Sequence, residues 1–294
     1  MKMRLHLQSL LLQLSVVLFL FASCTKKEDV QVKNNEAPPD STVNDVILTN
    51  YINRVYISVL GREPDATEKT NGFNILRQND ISMDSRNRFL DSVFTKKEYF
   101  DHLYDLARID LLNNQDTIYI RFYAYLFDSL SNLPAYAAYS QQLKIEVKRL
   151  DSLELVPHDL LNHIINVTGM NKRCVNNYFY DQINMGSENF VVSIFQHFLN
   201  RYPTTSELAN GKLMVEGGVA NLFLQSGQTR DDFLNIFFSS DDYYEGTIRL
   251  LYKRYLFRDP TSVEMNAATQ SYKSSTDYIK SQKEILSTNE YIGI

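Results

Sequence analysis

Apolar residues recur with a helical period along most of this chain, and three stretches repeat the same pattern. In each stretch the apolar positions fall at offsets of 0, 3, 4, 7 and 8, over residues 52–60, 191–199 and 248–256. Side chains at these offsets share one face of an α-helix. The pattern therefore predicts three amphipathic helices that each turn one face toward a core.

A sharp corner and a second helix are predicted to follow each of these helices. The shared sequence reads aromatic-x3-Leu-x-Arg-x-Pro-[Asp/Thr]-x2-Glu. The Arg falls in the last helical turn, where a cation complements the helix dipole, and the Pro ends the helix. The Asp or Thr with the Glu three residues later forms a capping box, which begins the next helix.

We call these turns the corners and expect each Arg to pair with its Glu, in a structural role. The candidate corner residues are Arg62, Pro64, Glu68, Arg201, Pro203, Glu207, Arg258, Pro260 and Glu264.

A second element follows each corner, in which Ser or Thr stands three residues before an acid and a Tyr. It occurs as Thr95 to Tyr99, Ser239 to Tyr243 and Ser287 to Tyr291. Such a spacing is typical of a helix start, so a further helix is predicted there. Because a shared pattern at fixed spacing marks structural repeats, three repeats are predicted at 45–100, 188–246 and 247–294.

Residues 101–187 are predicted to form a helical insert. The stretch from Phe122 to Asp128 is similar to the first half of the repeat, so a decayed fourth repeat is one interpretation. Two interpretations also stay open for a segment rich in Asn and Tyr, namely a binding groove, or helix caps with packed rings. Its candidate residues are Asn176, Asn177, Tyr178, Tyr180 and Asn184.

The N-terminal segment has the pattern of an export signal. Lys2 and Arg4 precede an apolar run of 12 residues, Leu10 to Phe21, which is too short to span about 30 Å of hydrocarbon. Residues 1–23 are therefore predicted to be a signal peptide, and residues 24–44, which contain Pro38 and Pro39, a flexible tether.

Phe21-Ala22-Ser23-Cys24 resembles the lipobox of bacterial lipoproteins, although that family most often has Leu where this chain has Phe21. The resemblance implies that Cys24 is acylated and anchors the mature chain to the outer membrane. Residues 25–29 are similar to the Lys-plus-acidic tag of lipoproteins that one Gram-negative phylum displays on its cell surface. That similarity favours surface display, while the periplasmic leaflet stays open.

Composition agrees with helices and narrows the function classes. The 294 residues are 44% hydrophobic and contain only 10 Gly and 7 Pro, whereas a sandwich or barrel needs frequent turns marked by such residues. The fold class predicted is all-α, an array of helix–corner–helix repeats in one globular domain. Without residues 1–23 the formal charge is 28 − 35 = −7, which disfavours a nucleic-acid partner.

No motif for catalysis or cofactor binding stands out. His158 and His163 are five residues apart and so do not share a helix face, and no zinc, nucleophile-elbow or phosphate-loop motif occurs. Acidic pairs such as Asp231-Asp232 suit helix N-termini. We therefore expect no metal, no cofactor and no enzymatic activity.

The corner sequence resembles a helical domain of unknown function found in large bacterial surface and secreted proteins, distantly similar to phycobilisome linker domains. The best match is Leu60-Gly61-Arg62-Glu63-Pro64-Asp65, while the other two corners lack the Gly and have Thr for Asp. The resemblance implies an all-helical interaction module and no catalytic residues.

The leading hypothesis is therefore a non-enzymatic scaffold lipoprotein of the cell envelope with a protein partner. A lipoprotein that binds a peptide or glycan for nutrient capture is the alternative, and a hydrolase is less favoured. An exposed apolar or Tyr-rich patch outside the repeat cores would favour the scaffold. A deep pocket ringed by Asn and Tyr of 176–189 would favour the ligand binder, and two converging carboxylates with raised pKa would favour the hydrolase.

Overall fold

A computed structural model describes residues 41–78 and 81–294, and within these ranges the prediction of an all-α fold is confirmed. The helices are α1 (Ser41–Leu60), α2 (Ala66–Arg77), α3 (Met83–Phe94), α4 (Lys97–Leu112), α5 (Thr117–Ser131), α6 (Ser140–Glu154), α7 (Val156–Leu161), α8 (Val167–Val175), α9 (Tyr178–Ile183), α10 (Ser187–Leu199), α11 (Thr205–Val215), α12 (Arg230–Phe238), α13 (Asp241–Leu256), α14 (Ser262–Ser275), α15 (Tyr278–Leu286) and α16 (Asn289–Ile292). A 3-10 helix, Pro134–Tyr139, joins α5 to α6. Residues Val43–Ile294 form one compact unit.

The predicted signal peptide, Cys24 and most of the predicted tether lie outside the described residues. Helix α1 begins at Ser41, which is inside the predicted tether of 24–44. No helix in the described part of the chain combines the length and the apolar content that a membrane crossing requires.

Each corner joins two packed helices, α1 to α2, α10 to α11, and α13 to α14. In the first two pairs, the second helix approaches the first at a glycine ten positions after the corner Arg. A Cβ on Gly72 would lie 3.0 Å from Ile52, and one on Gly211 would lie 3.0 Å from Val191. These two glycines therefore set how closely their helices pack.

The C-terminal helices hold the first and third repeats together. The Tyr99 hydroxyl donates to Gln282 Oε1 at 2.6 Å, and Gln282 Nε2 donates to the Tyr255 hydroxyl at 2.6 Å. All three side chains are buried. Arg86 on α3 donates to the carbonyl of Ser287 at 2.8 Å. This hydrogen bond holds the segment between α15 and α16 against α3.

Residues 101–187 form α5 through α9 and the last turns of α4. Helices α5 and α6 make an antiparallel hairpin. Phe122 on α5 is 53% exposed, whereas the residues at the matching position of the corners, Tyr56, Phe195 and Tyr252, are buried. The stretch from Phe122 to Asp128 is therefore not built like a corner.

One short hairpin was not predicted. Strands β1 (Ala220–Leu222) and β2 (Gln225–Gly227) pair antiparallel, with Ala220 opposite Gly227. Their turn residues Phe223 and Leu224 have positive φ of 46° and 65°. Strands of three residues are too short to show an alternating pattern, and the turn lacks the usual Asn-Gly or Gly signal.

Candidate functional site

The corner arginines make the predicted ion pairs. Arg62 binds Glu68 through two hydrogen bonds, Nη1 to Oε2 at 2.7 Å and Nη2 to Oε1 at 2.9 Å. Nη1 also donates to the carbonyl of Glu63 at 3.0 Å. Glu68 in turn closes the capping box with Asp65 at the start of α2. The guanidinium therefore ties the end of α1 to the start of α2.

The second and third corners have the same geometry. Arg201 binds Glu207 with both distances at 2.8 Å, and Arg258 binds Glu264 at 2.9 and 2.7 Å. Each guanidinium also lies over the aromatic ring six residues before it, at 5.7 Å for Tyr56, 5.0 Å for Phe195 and 5.4 Å for Tyr252. The ring contact accounts for the aromatic residue in the shared sequence.

Each corner Arg also binds a second acid. The sequence pattern predicted a helix start at this acid but no contact with the corner. Arg62 donates to Glu98, Arg201 to Asp242 and Arg258 to Glu290, each at 2.7 Å. These acids begin the helices that follow the second shared element. In all three repeats this acid stands directly before a Tyr. That recurrence was the sequence feature that could have indicated the long-range contact as well as the helix start.

The corner carboxylates are held in their charged form. The Arg62 guanidinium lowers the pKa of Glu68 to about 2, and Arg258 lowers that of Glu264 to about 2. Glu207 has a pKa lowered by Arg201 in the same way. Pro64 is buried, while Pro203 and Pro260 are partly exposed.

The guanidinium of each corner Arg donates to two acids and a backbone carbonyl of the same chain. Each corner is therefore a structural joint.

Several of the groove candidates make contacts within the fold. Asn177 is fully buried and caps α9, because its Oδ1 accepts from the backbone of Phe179 at 3.0 Å and of Tyr180 at 3.2 Å. Tyr180 is buried, with its hydroxyl 3.1 Å from His197 Nδ1. Asn184 donates to the Tyr180 carbonyl at 3.1 Å.

The two remaining groove candidates also have partners. Asn176 donates to Asp231 at 2.9 Å, and the Tyr178 ring stacks on Tyr123 at 5.1 Å. The segment therefore supplies mainly caps and packed rings, while the buried Oδ1 of Asn176 has no hydrogen-bond partner among the described residues. The groove stays a prediction.

An exposed apolar surface does occur outside the corners. Ile118, Phe122 and Tyr125 lie at offsets of 0, 4 and 7 on α5, with Tyr119 beside them, and all four are more than half exposed. We call these four residues the aromatic face. The opposite side of α5 is also apolar, since Ile120 and Ala124 are buried there. Arg121 lies among the exposed positions and pairs with Glu154. A helix with apolar residues on two sides normally buries both of them.

The turn of the same hairpin is uncharged. Residues 129–143 contain no Asp, Glu, Lys or Arg, although these make up 22% of the chain. Leu133, Tyr136 and Tyr139 are exposed there. The tip of the hairpin is therefore neutral and also exposes aromatic rings.

A cleft of about 640 Å³ lies between the insert and the corners. Helix α4 lines one wall with Leu103, Ala107 and Leu111, and α13 lines the other with Thr247, Leu251 and Arg254. Each set has helical spacing, so one face of each helix lines the cleft, and that face is apolar on α4 and mixed on α13. This volume is within the usual range for small-molecule pockets, about 300–1,000 Å³.

Carboxylates with raised pKa do not converge in the described residues. Burial raises the pKa of Glu146, and it also raises the pKa of Asp151. They are five residues apart on α6 and so point about 140° apart around the helix. Within the part of the chain that the structure describes, no group of three His, Cys, Asp or Glu could hold a metal ion.

Comparisons with protein-family models, with curated proteins and with solved structures found no match to this chain.

Proposed function

We propose that this chain is a membrane-anchored, non-enzymatic scaffold lipoprotein of the bacterial cell envelope, which holds a protein partner on its aromatic face. The observation that carries the proposal is α5, a helix that buries one apolar side and leaves Ile118, Tyr119, Phe122 and Tyr125 exposed on the other. Contiguous exposed apolar patches of this kind are typical of binding surfaces. Tyr and Phe are enriched at the cores of protein interfaces.

The rest of the fold supports a scaffold role. The corner arginines are saturated by acids of the same chain, so they serve to make a rigid frame. The aromatic face lies on a hairpin that stands apart from these joints. A partner can therefore bind the hairpin without disturbing the corners.

The anchor is tested by changing the predicted lipidation site. We expect Cys24→Ser to abolish acyl labelling and to release the chain from the membrane fraction, because a triacylated cysteine supplies enough buried methylene groups for stable attachment. The wild-type chain in the same cells is the control. Membrane attachment with intact acyl labelling in the variant would refute the anchor.

The partner surface is tested by co-purification. Native cells are crosslinked, the chain is purified in detergent, and bound proteins are identified by mass spectrometry. We expect one stoichiometric envelope protein with the wild type and its loss with Phe122→Ser/Tyr125→Ser. The matched control is Tyr202→Ser/Leu224→Ser, which removes two exposed apolar side chains elsewhere.

Retention of the same partner by the α5 variant would contradict the assignment of the surface. A wild-type chain that purifies alone would contradict the scaffold function itself.

A further inference from the structure

The cleft between α4 and α13 contains two opposite charges that do not pair. Arg254 and Asp110 both line it. Among the described residues, Arg254 has no carboxylate partner and Asp110 has no cationic partner, whereas most other acids and bases around the corners are paired. The two groups also do not bridge to each other across the space.

The other polar groups of the cleft are occupied or neutral. Asn171 donates to the Tyr243 hydroxyl at 3.1 Å, and Lys253 lies 3.5 Å from Asp259. Burial lowers the pKa of His197, which favours its neutral form at pH 7. Arg254 and Asp110 therefore line the same space without a close ion-pair partner, although they lie near enough to act on each other electrostatically.

The walls between these charges are apolar. Leu103, Ala107 and Leu111 come from α4, Leu250 and Leu251 from α13, and Met170 from α8. A ligand that fits must then carry an apolar body with a negative and a positive end. A free carboxylate would bind the Arg254 guanidinium in its preferred two-pronged geometry, and an ammonium would bind Asp110.

We propose that this cleft binds a short apolar peptide with free ends, its C-terminal carboxylate at Arg254 and its N-terminal ammonium at Asp110. An acyl chain with a single carboxylate would leave Asp110 without a partner, and a glycan would leave the apolar walls without one. The cleft is separate from the aromatic face, so this inference does not depend on the scaffold function. Either one can fail without the other.

The test measures binding of trileucine to the full chain, purified in detergent, by isothermal titration calorimetry. Because a charge-assisted hydrogen bond is worth roughly 1.5–3 kcal/mol, we expect Arg254→Gln and Asp110→Asn each to raise the Kd about tenfold or more. The matched controls are Arg249→Gln and Glu245→Gln, which remove the same charges from α13 outside the cleft. The controls should bind trileucine as the wild type does.

Blocked peptides assign each end of the ligand. Trileucine amide should bind weakly and equally to the wild type and Arg254→Gln, and N-acetyl-trileucine should bind weakly and equally to the wild type and Asp110→Asn. Leu250→Trp places a bulky ring in the cleft at an exposed position and should block binding while the helical circular dichroism stays unchanged.

Three results would overturn the proposal. One is an absence of trileucine binding to the wild type, and another is wild-type affinity in Arg254→Gln. The third is octanoate binding as tightly as trileucine with no effect of Asp110→Asn, which would assign the cleft to a simple acyl carboxylate.

Discussion

At the scale of single residues, the corner arginines show how a short motif determines several contacts at once. Arg62 binds Glu68 and Glu98 and lies over Tyr56. A lysine could supply the charge but not two parallel hydrogen bonds or the planar contact with a ring. The Arg of the repeat is therefore explained by geometry as well as by charge.

The corner carboxylates predict a pH dependence of stability. The pKa of Glu68 is about 2 in the folded chain and about 4.3 when unfolded, so its contribution is present above about pH 4.3 and is lost as pH falls toward 2. We expect Glu68→Gln to lower the free energy of unfolding at pH 7, with a difference from wild type that shrinks as pH falls through this window. Urea unfolding at several pH values measures it.

Glu63→Gln is the matched control, because Glu63 is exposed and adjoins the same corner. A difference from wild type that stays constant from pH 7 to pH 2 in Glu68→Gln would refute the account of this ion pair.

The residues within each corner were predictable from the sequence, while their distant partners were not. Arg62 and Glu68 are six residues apart across a turn whose geometry the Pro and capping box define. Glu98 lies 36 residues after Arg62, and only the packing of α3 and α4 brings its carboxylate to the Arg62 guanidinium. Asn177 was ambiguous for a related reason, since a helix cap and a groove residue have the same local sequence.

At the scale of elements, close helix packing depends on glycine. A Cβ on Gly246 of α13 would collide with the carbonyl oxygen of Phe198 on α10. Backbone cannot move aside as a flexible side chain can, so α10 and α13 would have to separate.

We therefore expect Gly246→Ala to destabilise the fold by about 2–4 kcal/mol, although Ala normally favours a helix over Gly by up to about 1 kcal/mol. Chemical denaturation measures the change. Gly169→Ala on α8 is the control, because its nearest neighbour would be the side chain of Ile165, and its effect should stay within about 1 kcal/mol. Equal stability of Gly246→Ala and wild type would show that the two helices do not approach this closely.

Helix α5 shows the limit of predicting elements from pattern alone. Its apolar residues predicted a helix, and the helix is present. Which apolar side faces the core depends on the rings of Tyr178 and Phe179, which pack on Tyr123 and lie more than 50 residues later. The sequence therefore could not identify Phe122 and Tyr125 as exposed.

At the scale of the whole molecule, the first and third repeats are joined through Gln282. Its side chain links the hydroxyls of Tyr99 and Tyr255, both at 2.6 Å, in the interior. Replacing it leaves two buried hydroxyls without these partners, and each such loss costs about 1–3 kcal/mol.

We expect Gln282→Leu to lower the free energy of unfolding by about 2–4 kcal/mol, and Tyr99→Phe in that background to restore part of the loss. Thermal and urea unfolding measure both variants. Gln141→Leu, at an exposed position of α6, is the control and should change stability by less than about 0.5 kcal/mol. A Gln282→Leu chain as stable as wild type would contradict the link between the two repeats.

The central claim is that the aromatic face holds a protein partner in the envelope. The most direct measurement places a photo-crosslinking phenylalanine analogue at position 122 and, in a second strain, at position 202, then irradiates living cells. We expect one discrete crosslinked protein from position 122 and none from position 202. The absence of an adduct at position 122, or the same adducts at both positions, would contradict it.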